Sequence, residues 1–318
     1  MSDLKNKYRP KVLAEMYGQK AVVGVLGDFF KRRTLPHSLL FSGPAGVGKT
    51  TLARIVATEY FEMDSSRVME VDAATYSKVE DMRGLLKPLG YKNVDGLPKI
   101  VILDECHALS KQAWQVLLKT LEEPPEHVYF SLCTTELSKV PKTIQTRCAA
   151  FPLKEVSTGD MVDLLTEVAE EEEFQITSKA LAVVAREAAG SPRQALVYLS
   201  MCHDCEEADE VRELIENMEA GKSIIDVCRV LVKASDRDPF ETWDECVKVI
   251  KVSDVASYES ARIIMCQYFS KVILGEKSAG RKTRWYLKVI DAFSINAPYA
   301  QSDGAAPFLN SLGILLMD

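Results

Sequence analysis

Two short stretches of this 318-residue chain carry residue types suited to handling phosphate. Gly43-Pro44-Ala45-Gly46-Val47-Gly48-Lys49-Thr50, followed by Thr51, fits the pattern GxxxxGK[ST]. Glycines let consecutive backbone N–H groups turn inward around an anion, and the following helix adds the positive end of its dipole. Lys49 is placed to reach β- and γ-phosphates, and the Thr50 hydroxyl to hold Mg2+. The second stretch is Asp104-Glu105, which closes the apolar run Ile100-Val101-Ile102-Leu103. Two carboxylates at the end of a buried strand are costly unless they are paired or employed. They fit a Walker B pair, with Asp104 in the Mg2+ shell and Glu105 polarising an attacking water. The plainer alternative is a helix N-cap ahead of a helical stretch from about Ser110.

These residues need elements to hold them. Residues 1 to about 155 alternate short apolar runs with helical patterns, which predicts an α/β domain with a largely parallel sheet. The strand candidates are Ser38–Ser42, Arg67–Asp72, Ile100–Asp104 and Val128–Cys133. The uninterrupted apolar run at 100–103 predicts a strand covered by helices on both faces. From about 157 to 208 the pattern is helical, with Met161, Leu164, Leu165 and Val168 at helical spacing. Thr177 and Gly190 read as start and stop signals of a second helix there. Helical patterns continue from about 211, broken at Asp236–Pro239 and near Gly275–Gly280.

The net charge of −7 argues against a polyanionic partner until its distribution is considered. Between Glu155 and Glu219 lie seventeen acidic and four basic residues, a local −13, so the remainder sums to +6. The first thirty-six residues hold eight basic and three acidic side chains. An acidic middle therefore conceals a mildly basic remainder, compatible with nucleic acid. No run of about eighteen apolar residues occurs, and the N-terminus lacks a signal-peptide pattern, so no membrane partner is expected. The eight cysteines are scattered through apolar or helical segments, as reduced thiols would be. Cys202-His203-Asp204-Cys205 has zinc-like spacing but no second ligand pair within reach.

Asp104-Glu105-Cys106-His107 followed by Leu117-Leu118-Lys119-Thr120-Leu121-Glu122-Glu123-Pro124-Pro125 resembles the ATPase domain of the bacterial gamma/tau clamp-loader subunit, and also the small subunits of replication factor C. Other landmarks fall in the family order over roughly residues 5 to 200. Lys7-Tyr8-Arg9-Pro10 with Gly18-Gln19 is similar to its N-terminal adenine-side segment. Ser77-Lys78-Val79-Glu80-Asp81 with Arg83 matches the segment between the Walker motifs. Thr134-Thr135 stands at sensor 1, Thr146-Arg147-Cys148 where the family has SRC, and Gly190-Ser191-Pro192-Arg193 at sensor 2.

That resemblance implies an AAA+ P-loop ATPase domain at 1–155, a small helical lid domain at 156–210 and an all-α collar that holds subunits together at 211–318. It implies ATP and Mg2+ as cofactors, with Tyr8, Arg9 and Pro10 on the nucleotide. Thr135 would contact the γ-phosphate or the attacking water. Arg193 would draw the lid down on ATP, and Arg147 would act as an arginine finger in trans on a neighbour's ATP. Implied partners are other clamp-loader subunits in a pentameric ring, a sliding clamp and primer–template DNA. Ser77, Lys78 and Arg83 would meet DNA phosphates, and Pro88, Leu89 and Tyr91 would press on the clamp, with Leu85 and Leu86 left to the core. The family's four-cysteine zinc module has no counterpart, since Tyr60–Glu70 contains no cysteine; no zinc is expected. A soluble, intracellular protein is expected, cytoplasmic in a prokaryotic or viral replication machinery and nuclear in a eukaryotic one. Two alternatives stand beside it: another AAA+ DNA motor, such as a branch-migration helicase, and a structural clamp-loader subunit that does not hydrolyse. The LLKTLEEPP stretch and the TRC triplet weigh against the first; intact Lys49, Thr50, Asp104 and Glu105 weigh against the second.

Overall fold

A computed structural model describes residues 3–64, 67–76, 78–234, 237–252, 258–275, 281–293 and 305–317. Among them, five strands form one parallel sheet in the order β2-β3-β4-β1-β5. These are β1 (Ser38–Ser42), β2 (Met69–Asp72), β3 (Lys99–Asp104), β4 (Val128–Thr134) and β5 (Ala149–Pro152). β1 is buried at every residue and β3 at its four central ones. Alternation along the strands sends Leu40, Val101, Leu103, Phe130 and Leu132 into one core and Leu39, Phe41, Ile102 and Cys133 into another. Helices must therefore cover both faces.

The helices of the sheet region are α1 (Leu4–Lys7), α2 (Lys20–Arg32), α3 (Lys49–Ile55), α4 (Val79–Leu86), α5 (Lys111–Glu122) and α6 (Lys142–Gln145). Val22 and Leu26 of α2, with Leu52, Ala53 and Ile55 of α3, fill one core. Met82 of α4, Ala113, Trp114, Leu117 and Leu121 of α5, and Ile144 of α6 fill the other. α3 runs on into a π-helical turn, Val56–Tyr60. α5 is capped by Ser110, whose side chain accepts from Ala113 N at 3.2 Å, so that cap does not fall to Asp104 or Glu105.

Three further helices, α7 (Thr158–Glu171), α8 (Ser178–Glu187) and α9 (Pro192–Met201), pack on one another. Ser157, Thr177 and Ser191 each accept a backbone N–H at the helix start, the expected chemistry of an N-cap. By compactness the chain divides into two units, Met1–Ala208 and Asp209–Asp318, and α7–α9 fall with the sheet. The second unit is helical: α10 (Ala208–Lys233, beginning one residue earlier), α11 (Pro239–Val252), α12 (Tyr258–Gly275), α13 (Arg281–Ala292) and α14 (Ala305–Met317). Its core gathers Phe269, Tyr286, Phe293, Phe308 and Leu312, and Trp285 Nε1 donates to the Leu231 carbonyl at 2.8 Å.

Two strand expectations change. β2 begins at Met69 rather than Arg67, whose guanidinium pairs with Asp95. β5 has no counterpart among the strand candidates. It is a four-residue edge strand bonded only to β1, and it ends in Pro152, which an edge tolerates because no second neighbour requires its N–H.

Candidate active site

The strand order places the ends of β1 and β3 on either side of β4, so three loops meet at the C-terminal edge of the sheet. That edge is where open α/β sheets bind ligands. The loop after β1 is strained into place by glycines. Gly43 has φ 147°, and a Cβ there would stand 2.4 Å from the Leu153 carbonyl oxygen. Gly46, at φ 75°, lies so close to Ser191 and Arg193 at the start of α9 that a Cβ would meet the Ser191 hydroxyl at 2.1 Å. The glycine loop is thus wedged between the sheet edge and the start of α9, where glycine is required.

Lys49 is 6% exposed, and its Nζ donates to the carbonyls of Gly43 (2.9 Å) and Pro44 (2.6 Å). Burial lowers its pKa from the ordinary value, while Glu105 and Asp104 pull the other way. The Thr50 hydroxyl donates to Asp104 Oδ2 at 2.9 Å. Asp104 Oδ1 accepts the Glu105 backbone N–H at 3.0 Å, and Glu105 itself is left-handed at φ 46°. A non-glycine residue there is strained, a feature that clusters at functional sites. Thr135 donates from its hydroxyl to Glu105 Oε2 at 3.0 Å, so its first partner is the carboxylate.

One cleft collects most of these groups; Gly43, Pro44 and Thr135 are not among its lining residues. Gly46, Val47, Gly48, Lys49, Thr50 and Thr51 line it with Ala45, and Asp104 and Glu105 close its floor. Tyr8, Arg9 and Pro10 line it from the N-terminal segment, and Arg193 from α9. Pro44 contributes its carbonyl to Lys49. The N-terminal segment is tied across the cleft to α7. Lys7 Nζ (2.6 Å) and the Tyr8 hydroxyl (2.9 Å) both reach Glu172, the residue just after that helix, and the Tyr17 hydroxyl reaches Glu167. The Gln19 side-chain amide brackets Lys154, donating from Nε2 to its carbonyl and accepting its N–H at Oε1.

Sequence reasoning missed part of the lining. Met16, Tyr17, Leu164 and Leu196 add apolar lining to the cleft, with Met16 packed against Gly48. Leu164 carried only a helix-core signal. Arg54 and Glu70 also line it, paired bidentately at 2.7 and 2.7 Å. Arg9 has its pKa lowered by burial first, then by the nearby charges of Arg54 and Arg193. Guanidiniums crowded beside a buried ammonium suit a polyanion, and the glycine cradle, the Lys49 amine and the Thr50–Asp104 pair fit a nucleotide triphosphate with its Mg2+.

Arg147 is not among the cleft residues. Its Nη2 lies 2.6 Å from Glu122 Oε1 and its Nη1 donates to the Thr143 carbonyl at 2.7 Å. Cys148 beside it is partly buried, and burial pushes its thiol up to about 11. Lys78 and Arg83 are exposed at the start and along α4, whereas Ser77 lies outside the described residues. The apolar tip after α4 is corrected in one position. Pro88 is exposed and Tyr91 is 72% exposed, but Leu89 is 1% exposed and packs in the core under the sheet. It points the wrong way to touch a partner; Val94, not singled out from sequence, is fully exposed.

The family described as DNA polymerase III, delta subunit, matches residues 64–157. DNA polymerase III subunit tau/gamma of Haemophilus influenzae is 35% identical over 235 residues, covering 68% of this chain and 34% of that protein. Subunit tau of Escherichia coli is 39% identical over 213 residues, 61% of this chain and 33% of its own length. Subunit gamma of Buchnera aphidicola is 35% identical over 216 residues, with 62% and 60% covered. The chain thus spans about a third of the first two relatives and less than two thirds of the last. Among solved structures, the Thermotoga maritima RuvB Holliday junction branch migration motor superposes with a TM-score of 0.55 at 22% identity, over 68% of this chain and 78% of that one. That likeness is one of fold.

Proposed function

We propose that this chain, similar over about two thirds of its length to gamma/tau subunits, is an ATPase subunit of a sliding-clamp loader. The observation that carries the proposal is the split between two sets of residues. Lys49, Thr50, Asp104, Glu105 and Arg193 line one cleft, while Arg147 lies outside it, on an exposed surface. A site complete except for its arginine finger calls for a neighbour to supply one.

In this reading Lys49 and the glycine loop bind the β- and γ-phosphates, and Tyr8, Arg9 and Pro10 cover the base side. Thr50 and Asp104 would hold Mg2+, an ion that neutralises charge on the phosphate oxygens. Glu105 takes the proton of the attacking water. Thr135 orients that carboxylate or the water. Arg193 couples nucleotide to lid, and Arg147 stabilises the charge on a neighbour's transferring phosphoryl group, an effect worth about 10³–10⁵ in rate when given in trans. Residues 1–155, 156–210 and 211–318 would then work as ATPase, lid and collar, with the collar building a ring of five subunits. Lys78, Arg83 and Ser77 would grip primer–template phosphates without reading bases, and Pro88 and Tyr91 would touch the clamp. The place of action is wherever the cell replicates its DNA.

The test is ATPase rate against added primed DNA and candidate clamps. Synergistic stimulation by both is expected. A flat response to both overturns clamp loading, and strand displacement with no clamp present would favour a branch-migration motor.

A further inference from the structure

Two tyrosines of the N-terminal segment, Tyr8 and Tyr17, line the cleft half-buried, and each hydroxyl is taken by a glutamate of the α7 region. Tyr8 donates to Glu172 Oε1 at 2.9 Å, and Tyr17 donates to Glu167. Lys7 Nζ reaches the same Glu172 oxygen at 2.6 Å and stands 5.2 Å from the centre of the Tyr8 ring. The Glu172 side chain is 15% exposed, so water screens it less than it screens an open surface pair. Burial first, and then the glutamates, push both phenols up, so they stay protonated donors. The segment is fastened on the sheet side as well. Leu13 N–H donates to Glu59 Oε2 at 2.6 Å, in the π-helical turn after α3, and Gln19 holds Lys154. α1, whose buried residue is Leu4, packs on α9. Residues 4–19 are thus a strap tied both to the lid helices and to the sheet.

We propose that Glu172, with Glu167, is a positioning residue for the base side of the nucleotide site. The two carboxylates hold the Tyr8 and Tyr17 rings at the cleft and put both under the control of one helix, α7. The reason is mechanical. Lys49 and the glycine loop hold phosphates without help from the strap, whereas an aromatic face serves a base only when its plane is fixed. Tyr8 and Tyr17 lie outside α1 and α2, so helical backbone does not fix them. A hydrogen bond at the far end of each ring does. Nucleotide then leaves when these fastenings part, so the clasp sets its dwell time. The proposal rests on the reading of Tyr8 as a residue on the base side.

The test uses the whole chain. Glu172→Ala is expected to speed dissociation of a fluorescent ADP analogue about tenfold, the scale of one hydrogen bond to a charged group, with little change in association rate. Binding of inorganic tripolyphosphate with Mg2+, which has no base, is expected to match wild type. Tyr8→Phe keeps the ring and removes the hydroxyl. It is expected to speed dissociation about threefold or more in wild type and not at all in the Glu172→Ala background. An unchanged dissociation rate in Glu172→Ala, an equal loss of tripolyphosphate binding, or a Tyr8→Phe effect undiminished in that background each overturns the assignment. Thermal midpoints of nucleotide-free protein read the contact by itself. Tyr8→Phe is expected to lower the midpoint in wild type and not in Glu172→Ala; equal drops overturn the contact. If wild type binds ADP no more tightly than tripolyphosphate, the base-side reading fails, and the midpoints still decide the Tyr8–Glu172 pair.

Discussion

The Thr50 hydroxyl and Asp104 Oδ2 are hydrogen-bonded at 2.9 Å, joining the first turn of α3 to the end of β3 across the intervening strand β4. Fifty-four residues separate them in sequence, and both are oxygen donors of the kind Mg2+ prefers. Thr50→Ala is expected to weaken nucleotide binding at least tenfold in the presence of Mg2+ and to change it little without Mg2+. Titration with a fluorescent ATP analogue, with and without the ion, measures both. A Mg2+ dependence identical to wild type would remove Thr50 from the ion's shell.

Gly43 carries a second prediction. With φ 147° and a Cβ that would stand 2.4 Å from a backbone oxygen, Gly43→Ala cannot be relieved by a side-chain rotation. It is expected to destabilise the sheet unit by about 2 kcal/mol or more, a drop of several degrees in thermal midpoint. Gly84→Ala is the control. Gly84 lies in α4 with open space around it, so alanine should be neutral or stabilising by up to about 1 kcal/mol. Equal midpoints for the two variants would show that the loop adapts.

Arg147→Ala is expected to keep ATP binding and to lose turnover stimulated by DNA and clamp, by about 10³ or more. The decisive measurement mixes Arg147→Ala with Lys49→Ala subunits. Each lacks one half of a composite site, so mixed assemblies should recover sites in which intact Lys49 meets an intact neighbouring Arg147. No recovery at any mixing ratio would argue that Arg147 acts elsewhere, or only structurally through Glu122.

Buried thiols set a pH limit. Burial pushes the Cys106 and Cys133 thiols above the ordinary value, so both stay protonated in the folded chain as pH rises. In the unfolded chain they ionise from about pH 8.5. The folded state then binds more protons than the unfolded one, and stability falls as pH rises beyond that point, by up to about 1.4 kcal/mol per pH unit for each thiol. Urea midpoints at pH 7.5 and 10 should show the fall, and Cys133→Ala should shrink it. A fall of the same size in that variant would assign it to other groups, such as Tyr17, whose hydroxyl is pushed up to about 12.

The sequence by itself determined the glycine loop, the Asp104-Glu105 pair and the helices and strands that flank them. A phosphate loop needs glycines, a lysine and a hydroxyl at fixed consecutive positions, because neighbouring backbone N–H groups do the binding. That requirement is local, so Gly43 to Thr51 can be read directly. Asp104-Glu105 is legible for a similar reason: carboxylates that end a fully apolar strand have few explanations. Tertiary structure alone decided what lies between distant segments. Leu89 and Tyr91 are two residues apart and alike in sequence, yet one is in the core and the other exposed, because only one faces the sheet. β5 carries too few residues for its alternation to register, and its place beside β1 comes from pairing. The partners of Arg147, Arg54 and Glu105 lie 25, 16 and 30 residues away. Such contacts have no period and no spacing of their own. They exist only once the packing of the two cores has brought the strand ends together, which is why a sequence names the chemical groups more readily than it names their partners.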